Sequence, residues 1–580
     1  MKRILFWVGV AAVLATTSSF GQAPAFSEVV VFGDSLSDTG NVRARTSAKS
    51  SGAIDYPSHT FNYDNGRFTN DTDTDPASHT YLGVWHEQLA RTFLGLPAAS
   101  NSLGGGVNYA FGGATTTNGT HQEVETTPVA DITITIDDMG KQMDDYFAQH
   151  VFDPNALYIV WGGSNDIRND DSSASVTATV GRVDNLVSRL ATAGAKYIMV
   201  PNVPPIGDTP RYFGTQKGAT TNRASAEYRN ELAVSLNALQ STLASQGFTP
   251  AIYRVDEWAD TVRIFSNGPR FGFTNLTSAA QDNSSANPDQ YIFWDDLHPT
   301  TAVHYRLALT AYNAIVNPPP SPSKVLNIST RMFVDTGERV SIAGLIVTGD
   351  IAKKVLIRGI GPSLSNSGVP TPLANPTVTL FNNSGNVVAT NDDWKKSPDA
   401  AEIMSTGLAP SNDLESALIA NIAPGQYTAQ LTGNSGGTGN GVIEVYDLAA
   451  SASPVVANLS TRGFVGAGDN VMIAGVIIGQ GDPPIIVFRA LGPSLASFGV
   501  ANPLADPTLE LYDGNGNLIA SNDDWQNPQI QAVRATNLAP SNLKESAIVS
   551  AFLSPGNYTA VVRGKNNSTG VAIVESYRIQ

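Results

Sequence analysis

At 580 residues the chain exceeds the roughly 250–300 at which one core stops growing, so more than one domain is expected. Its 35 basic and 51 acidic residues leave a net charge of −16, which argues against nucleic acid and anionic lipid headgroups as electrostatic partners. The absence of cysteine excludes disulfides, thiolate metal sites, a cysteine nucleophile and a lipoprotein anchor.

Lys2 and Arg3 precede the apolar run Ile4–Ala15 and a small, polar stretch through Ala25. This pattern predicts a signal peptide over 1–25, cleaved after Gly21 or Ala25, and a secreted protein, extracellular or periplasmic. The run is shorter than the roughly 18–20 apolar residues a membrane span needs.

Glu28–Phe32 reads as a buried strand that breaks at Gly33, and Asp34-Ser35-Leu36-Ser37-Asp38-Thr39-Gly40-Asn41 follows. A serine presented at a strand end can be held rigidly as a nucleophile, although serine after Gly-Asp is also a common helix cap. The polar stretch Ala44–Ala77 is too long for an ordinary connection and reads either as a lid or substrate-facing loop or as a solvated one. Helices are expected over Tyr81–Leu94, Val176–Ala193, Thr221–Ser245 and Ala302–Val316, and further strands over Leu157–Trp161 and Tyr197–Val200. This alternation predicts a parallel sheet covered by helices on both faces, with ligands at the carboxyl ends of the strands.

Ester cleavage needs a base for the serine, a group to orient that base, and donors for the oxyanion. Asp295 and His298 form the candidate pair, with Asp296 a competitor on residue type alone. The glycine-rich loop Gly104–Ala114, the backbone N–H of Ser35 and the amide of Asn165, which follows the second strand, are candidate oxyanion donors. Taken alone, that glycine cluster reads as a turn or a close packing contact. His304 reads as packed or surface, and His59, His79, His86, His121 and His150 show no metal-ligand spacing in sequence.

Gly33-Asp34-Ser35-Leu36, the Gly104–Ala114 loop, Gly163-Ser164-Asn165-Asp166 and Asp295-Asp296-Leu297-His298 together resemble the four blocks of the GDSL, or SGNH, hydrolase family over residues 27–316. Phe32–Asn41, Val200–Gly207 and Trp294–Thr300 are similar to the subgroup holding secreted bacterial phospholipase- or hemolysin-like enzymes, autotransporter esterases and plant GDSL lipases. The resemblance implies an SGNH-type three-layer α/β fold and a catalytic triad of Ser35, His298 and Asp295 in preference to Asp296. It implies an oxyanion hole of Ser35, Gly113 and Asn165, with Gly112 the neighbour that could be confused with Gly113. No metal or other cofactor is implied. The implied substrates are acyl esters, as in esterases, lipases and phospholipases.

Asn317–Ser323 is a proline-rich spacer, after which the sequence repeats itself. Arg331 recurs as Arg462, Gly361 as Gly492 and Asn391 as Asn522, each 131 residues on. Short strands rich in Val, Ile and Thr, with hairpin turns at Asn382–Gly385 and Asp513–Gly516, predict two tandem β-sandwich-like domains over 324–452 and 453–580. Asn391-Asp392-Asp393-Trp394 and its copy fit a turn-and-core element better than a Ca²⁺ or sugar site. Gly433-Asn434-Ser435-Gly436-Gly437 matches another hydrolase motif, Gly-x-Ser-x-Gly, but sits where a turn is expected and is rejected as catalytic.

The reading is an export signal at 1–25, a hydrolase domain at 26–316, a linker at 317–323 and two β-rich repeats. Its function is metal-independent serine ester hydrolysis, with a possible surface or polymer contact through the repeats. The alternative hydrolase reading is an O-acetyl esterase acting on an acetylated glycan. The alternative of another class is a non-catalytic surface or adhesion protein, which predicts a broken triad.

Overall fold

The computed structural model describes residues 23–317, 325–348, 352–448, 455–468 and 470–579. Most of the expected signal (1–22), nearly all of the spacer (318–323) and the first residue of the first repeat (324) lie outside the described residues. The chain divides into two compact units, one over Ser18–Pro319 with Arg534–Asn537 and one over Pro320–Val533 and Leu538–Gln580. Among the described residues, no helix is long and apolar enough to cross a membrane.

In the first unit the elements run β1 (Val29–Gly33), α1 (Asn41–Ser50), α2 (Trp85–Gln88), β2 (Thr120–Thr126), β3 (Asp131–Asp137), α3 (Met139–Gln149), β4 (Leu157–Trp161), α4 (Ser164–Asn169) and α5 (Ser173–Ala193). They continue with β5 (Tyr197–Pro201), α6 (Gln216–Ser245), β6 (Ala251–Val255), α7 (Glu257–Ser266), β7 (Asn275–Ala279), β8 (Tyr291–Phe293) and α8 (Thr301–Val316). Strands β1, β4, β5 and β6 form a parallel sheet in the order β1-β4-β5-β6.

Alternation along each strand sends Val30, Phe32, Tyr158, Val160, Ile198 and Val200 into one core, which they share with α3, α5 and α6. The intervening Val29, Val31, Ile159 and Met199 are equally buried on the other face, and Trp161 there meets Trp85 of α2 edge-on with ring centroids 5.0 Å apart. Burial on both faces is why these strands read as unbroken apolar runs rather than alternating ones. Each fully buried Val, Ile or Phe contributes about 1.5–3 kcal/mol.

Two expectations change in detail. The helix expected at Tyr81–Leu94 begins only at Trp85, after Gly83 at φ +71°, and its second half, Leu89–Leu94, is π-helical. The polar stretch 44–77 starts inside α1, and its middle is packed, with Phe61, Tyr63 and Phe68 buried, whereas Asp73–Ala77 are exposed.

The second unit holds β9 (Val325–Val334), β10 (Ser341–Thr348), β11 (Lys353–Ile360), β12 (Pro376–Asn382), β13 (Val387–Asn391), β14 (Ser416–Ile422), β15 (Gly425–Gly433) and β16 (Gly439–Asp447). The same succession returns as β17 (Val455–Val465), β18 (Met472–Ile478), β19 (Ile486–Leu491), β20 (Pro507–Asp513), β21 (Leu518–Asn522), β22 (Ser546–Ser550), β23 (Gly556–Gly564) and β24 (Gly570–Arg578).

This region is β-rich and antiparallel, but its two copies do not close as separate sandwiches. The first strand of each copy pairs with the last strand of its own copy and the second strand of the other. Thus β9 lies between β16 and β18, and β17 lies between β24 and β10. One continuous core joins Val334, Leu345 and Leu380 of the first copy to Met472, Phe488 and Leu511 of the second. Repeated strands offer equivalent edges, and periodicity does not reveal which copy an edge will choose.

The Asn-Asp-Asp-Trp segments serve turn and core, with Trp394 and Trp525 buried. Asp506, Asp523 and Asp524 bring carboxylate oxygens close enough to hold an ion, but the Lys565 ammonium sits 2.6 Å from Asp523. In the first copy the corresponding residues are Asn375 and Asn434, and Asn434 donates to Asp392 at 2.7 Å. The Gly433–Gly437 segment forms the turn between β15 and β16, with Ser435 in the left-handed region at φ 55°.

Candidate active site

Glycine is required at position 33, the last residue of β1, because a Cβ there would come within 2.8 Å of the Trp161 carbonyl on the neighbouring strand. The side chain of Gln142 clamps Gly33 by accepting from its N–H and donating to its carbonyl, both at 2.9 Å. The chain then turns: the Asp34 carbonyl accepts from Ser37 and Asp38, and its carboxylate accepts from the Leu36 N–H. Ser35 stands on this turn. Asp38 is buried and accepts from the backbone N–H groups of Gly40, Asn41, Val42 and Gly112. Burial raises its pKa to about 6 against the pull of those four donors, so at neutral pH it is a carboxylate satisfied by backbone alone.

Beyond β8, Asp295 Oδ1 accepts from the N–H groups of Leu297 (2.7 Å) and His298 (2.6 Å), and Trp294 donates to the His298 carbonyl at 2.8 Å. This tight turn puts His298 Nδ1 2.7 Å from Asp295 Oδ2 and His298 Nε2 2.9 Å from Ser35 Oγ. A carboxylate only accepts, so Nδ1 carries the proton and Nε2 is free to accept from the serine. Burial would raise the Asp295 pKa, but the adjacent His298 and three hydrogen bonds from that residue and Leu297 hold it at about 2. Asp296 points elsewhere: its carboxylate pairs with the Arg211 guanidinium at 2.8 and 2.9 Å.

The oxyanion candidates separate by their hydrogen bonds. Gly112 donates its N–H to Asp38 at 3.0 Å, whereas Gly113, at φ +81°, has no acceptor for its N–H among the described residues. Nor does Ser35. Asn165 sits at the start of α4, its Oδ1 accepting from Arg168 at 2.6 Å and its Nδ2 donating one hydrogen to the Ala114 carbonyl at 2.9 Å. The second amide hydrogen remains available. Gly113 is thus held between Gly112, bound by Asp38, and Ala114, bound by Asn165. Asp166 anchors the following loop by accepting from the N–H (3.0 Å) and hydroxyl (2.8 Å) of Thr116.

Sequence reasoning missed Tyr63 and Phe68. Tyr63 donates its hydroxyl to Asp295 Oδ2 at 2.8 Å, and the Phe68 ring lies 4.9 Å from the His298 ring at an interplanar angle of 30°. The aromatic spacing within an otherwise polar segment, Tyr56, Phe61, Tyr63, Phe68, was the available signal. The β2–β3 hairpin was also unforeseen, and it carries Glu123 to within 3.5 Å of where a Gly113 Cβ would stand.

His304 is buried and accepts from the Trp85 N–H at 3.2 Å, so it is structural. His59, Asp71 and Asp73 do converge, although their spacing in sequence gives no hint of it. The imidazole nitrogens lie 2.9 Å from Asp71 and 2.8 Å from Asp73, a donor set that could also hold a cation.

The geometry defines a class first: a serine held by an imidazole and carboxylate beside unpaired N–H donors, at the carboxyl end of a parallel sheet. Residues 29–310 match the GDSL-like lipase/acylhydrolase family model, and this similarity makes the chain a hydrolase acting on ester bonds. Among curated proteins, the chain is 24% identical over 349 residues to a phosphatidylcholine-sterol acyltransferase of Aeromonas hydrophila, covering 51% of this chain and 92% of that protein. It is 31% identical over 233 residues to Lipase 1 of Photorhabdus luminescens, covering 38% of this chain and only 29% of that protein. A solved member of the lipolytic G-D-S-L family from Veillonella parvula is 14% identical and covers 50% of this chain and 99% of its own, with a TM-score of 0.25.

Proposed function

We propose that this protein is a secreted serine esterase that cleaves carboxylic esters of acyl chains through an acyl-enzyme. Ser35 Oγ attacks the acyl carbon while His298 Nε2 takes its proton, and Asp295 holds the ring in the required tautomer and stabilises the imidazolium. The Ser35 and Gly113 N–H groups and the free hydrogen of the Asn165 amide receive the oxyanion. Collapse of the intermediate breaks the ester bond, and the imidazolium protonates the departing alkoxide. Water, deprotonated by the same imidazole, then attacks the acyl-serine and releases the acid, returning the proton to Ser35. No metal or organic cofactor takes part.

The observation that carries this reading is the chain of contacts from Ser35 through His298 to Asp295, at 2.9 and 2.7 Å. The relatives' names, an acyltransferase and a lipase, favour acyl esters. Secretion rests on the charged start and apolar run at Lys2–Ala15.

The test is hydrolysis of an ester panel, from short to long acyl chains and including acetylated glycans, by the wild type, Ser35→Ala, His298→Ala and His304→Ala. Ser35→Ala and His298→Ala should lose activity while remaining folded, and His304→Ala should keep it if its fold survives. Substantial hydrolysis by Ser35→Ala would overturn the proposal.

A further inference from the structure

The outer face of the sheet in the second unit carries a cavity of about 530 Å³ that no part of the ester chemistry uses. Its floor is a single row across four adjacent strands. Phe381 on β12 stands opposite Thr428 on β15, which stands opposite Gly344 on β10, which stands opposite Ser460 on β17. Tyr577 on β24, the next strand, closes one end, and Gln426 lies along the side. These side chains point away from the core, because the alternating Ala343 and Leu345 point into it.

The trough exists because Gly344 interrupts a strand whose flanking outward residues are Ile342 and Ile346. Glycine in a strand interior is unfavourable and often marks the close approach of another molecule. Here only a rotatable group, the Ser460 hydroxyl 2.9 Å away, stands where a Cβ would go, and the backbone has no positive φ that would demand glycine.

The second copy repeats the arrangement. Tyr512 faces Thr559, which faces Gly475, which faces Ser329. The same aromatic-Thr-Gly-Ser row has therefore been kept at both places, each time completed by a strand from the other copy.

The lining specifies the ligand. In a chain of net charge −16, none of the side chains lining the first trough is charged, and Glu575, which stands opposite Ser460 where the row reaches β24, is neutralised by its ion pair with Arg489. It offers the Phe381 ring at one end, the Tyr577 ring at the other with its hydroxyl already held by Glu575 and Arg489, and the hydroxyls of Thr428 and Ser460 and the amides of Asn382, Asn383 and Gln426 around them. From β12 to β24 there are four inter-strand steps of about 4.8 Å, or ~19 Å. An elongated molecule with apolar faces and a rim of hydroxyls, carrying no charge, meets that description, because ring faces take its C–H surface and the amides and hydroxyls take its polar rim. We propose that this trough binds a chain of neutral sugar residues and anchors the protein to a polysaccharide.

The proposal is independent of the ester chemistry, and its test uses full-length Ser35→Ala so that hydrolysis cannot alter the probe. The protein is co-sedimented with cellulose, insoluble xylan, mannan and chitin, and with calcium alginate as an anionic control. Retention is expected on at least one neutral polymer and not preferentially on alginate. Adding Phe381→Ala or Gly344→Val should weaken that retention at least tenfold with an unchanged melting midpoint for Gly344→Val, since valine suits a strand and fills the trough. If Phe381→Ala melts early, Gly344→Val decides alone. Retention on none of the four neutral polymers, a preference for alginate, or equal retention with Gly344→Val would overturn the proposal. Esterase activity on a soluble ester, read in the Ser35 background, should not change with either substitution.

Discussion

Tyr63 donates its hydroxyl to the same Asp295 oxygen, Oδ2, that holds the His298 ring, at 2.8 Å against 2.7 Å. Asp295 therefore has no unpaired oxygen: Oδ1 is taken by two backbone N–H groups and Oδ2 by the ring and the phenol. A carboxylate held on all sides cannot swing away from the imidazole, and its negative charge is spread over donors rather than exposed to water.

Replacing Tyr63 with Phe removes one hydrogen bond to a charged group, worth about 1.5–3 kcal/mol, and leaves the ring packing in place. Turnover should fall about tenfold or more while KM changes little. Steady-state kinetics on the preferred ester provide the check, and an unchanged turnover would show that Oδ2 needs only the imidazole.

Asn165→Ala should lower turnover by roughly 10²–10³, the usual effect of losing one oxyanion donor. The loss should appear in turnover rather than in KM, because the amide's free hydrogen meets charge that develops only during reaction. It also releases the Ala114 carbonyl, so a melting curve should accompany the kinetics.

Asp38→Asn places an amide N–H₂ against backbone N–H donors that now meet a carboxylate oxygen. Unsatisfied buried donors cost about 1–3 kcal/mol each, so the melting temperature should drop clearly. Because one of the four donors is Gly112, turnover should fall as well, as Gly113 loses its hold on one side. A stability loss with full activity would show that Gly113 is positioned from the Asn165 side alone.

Glu87 is buried and paired with Arg67 at 2.6 Å. Burial would raise its pKa, but the guanidinium overrides this and holds it at about 2. Between about 2 and 4.5 the unfolded chain binds more protons at this site than the folded one, so stability rises with pH there. A depression of that size corresponds to about 3 kcal/mol, fully present above the unfolded pKa and lost as pH falls through about 2. Glu87→Gln should therefore be less stable than the wild type at pH 7, and the gap should close as pH is lowered from 5 towards 2. Urea unfolding at several pH values tests this, and a gap constant with pH would sever the link to Glu87 ionisation.

Residues 324–452 produced alone lack the partners that β9 and β10 find in the other copy, β18 and β17. The isolated copy should not be a stable monomer. Two such chains can satisfy each other's edges by the same exchange, so a dimer or an aggregate is expected by size-exclusion chromatography. A folded, soluble monomer would mean that a single copy can close on its own strands.

The sequence alone determined the parts of the site and the layered character of the first unit. Gly33-Asp34-Ser35-Leu36, Asn165 and Asp295–His298 each follow or adjoin an apolar strand-like run. Strand ends of a parallel sheet gather on one edge whatever the loops do. The hydrogen bond from His298 to Asp295 was also within reach, because three residues at a turn are a local matter.

Tertiary structure decided what depends on distant segments meeting. Gly112 and Gly113 are indistinguishable as letters, and the contact between Asp38 and Gly112, 74 residues apart, occupies the Gly112 N–H while that of Gly113 has no acceptor among the described residues. Tyr63 reaches Asp295 across 232 residues, from a stretch whose polar composition resembles solvated loop. The exchange of β9 and β17 lay beyond periodicity, because two copies of one pattern have identical local preferences. Which edge pairs with which is set by the energy of the assembled sheet and its shared core, a quantity that no segment carries by itself.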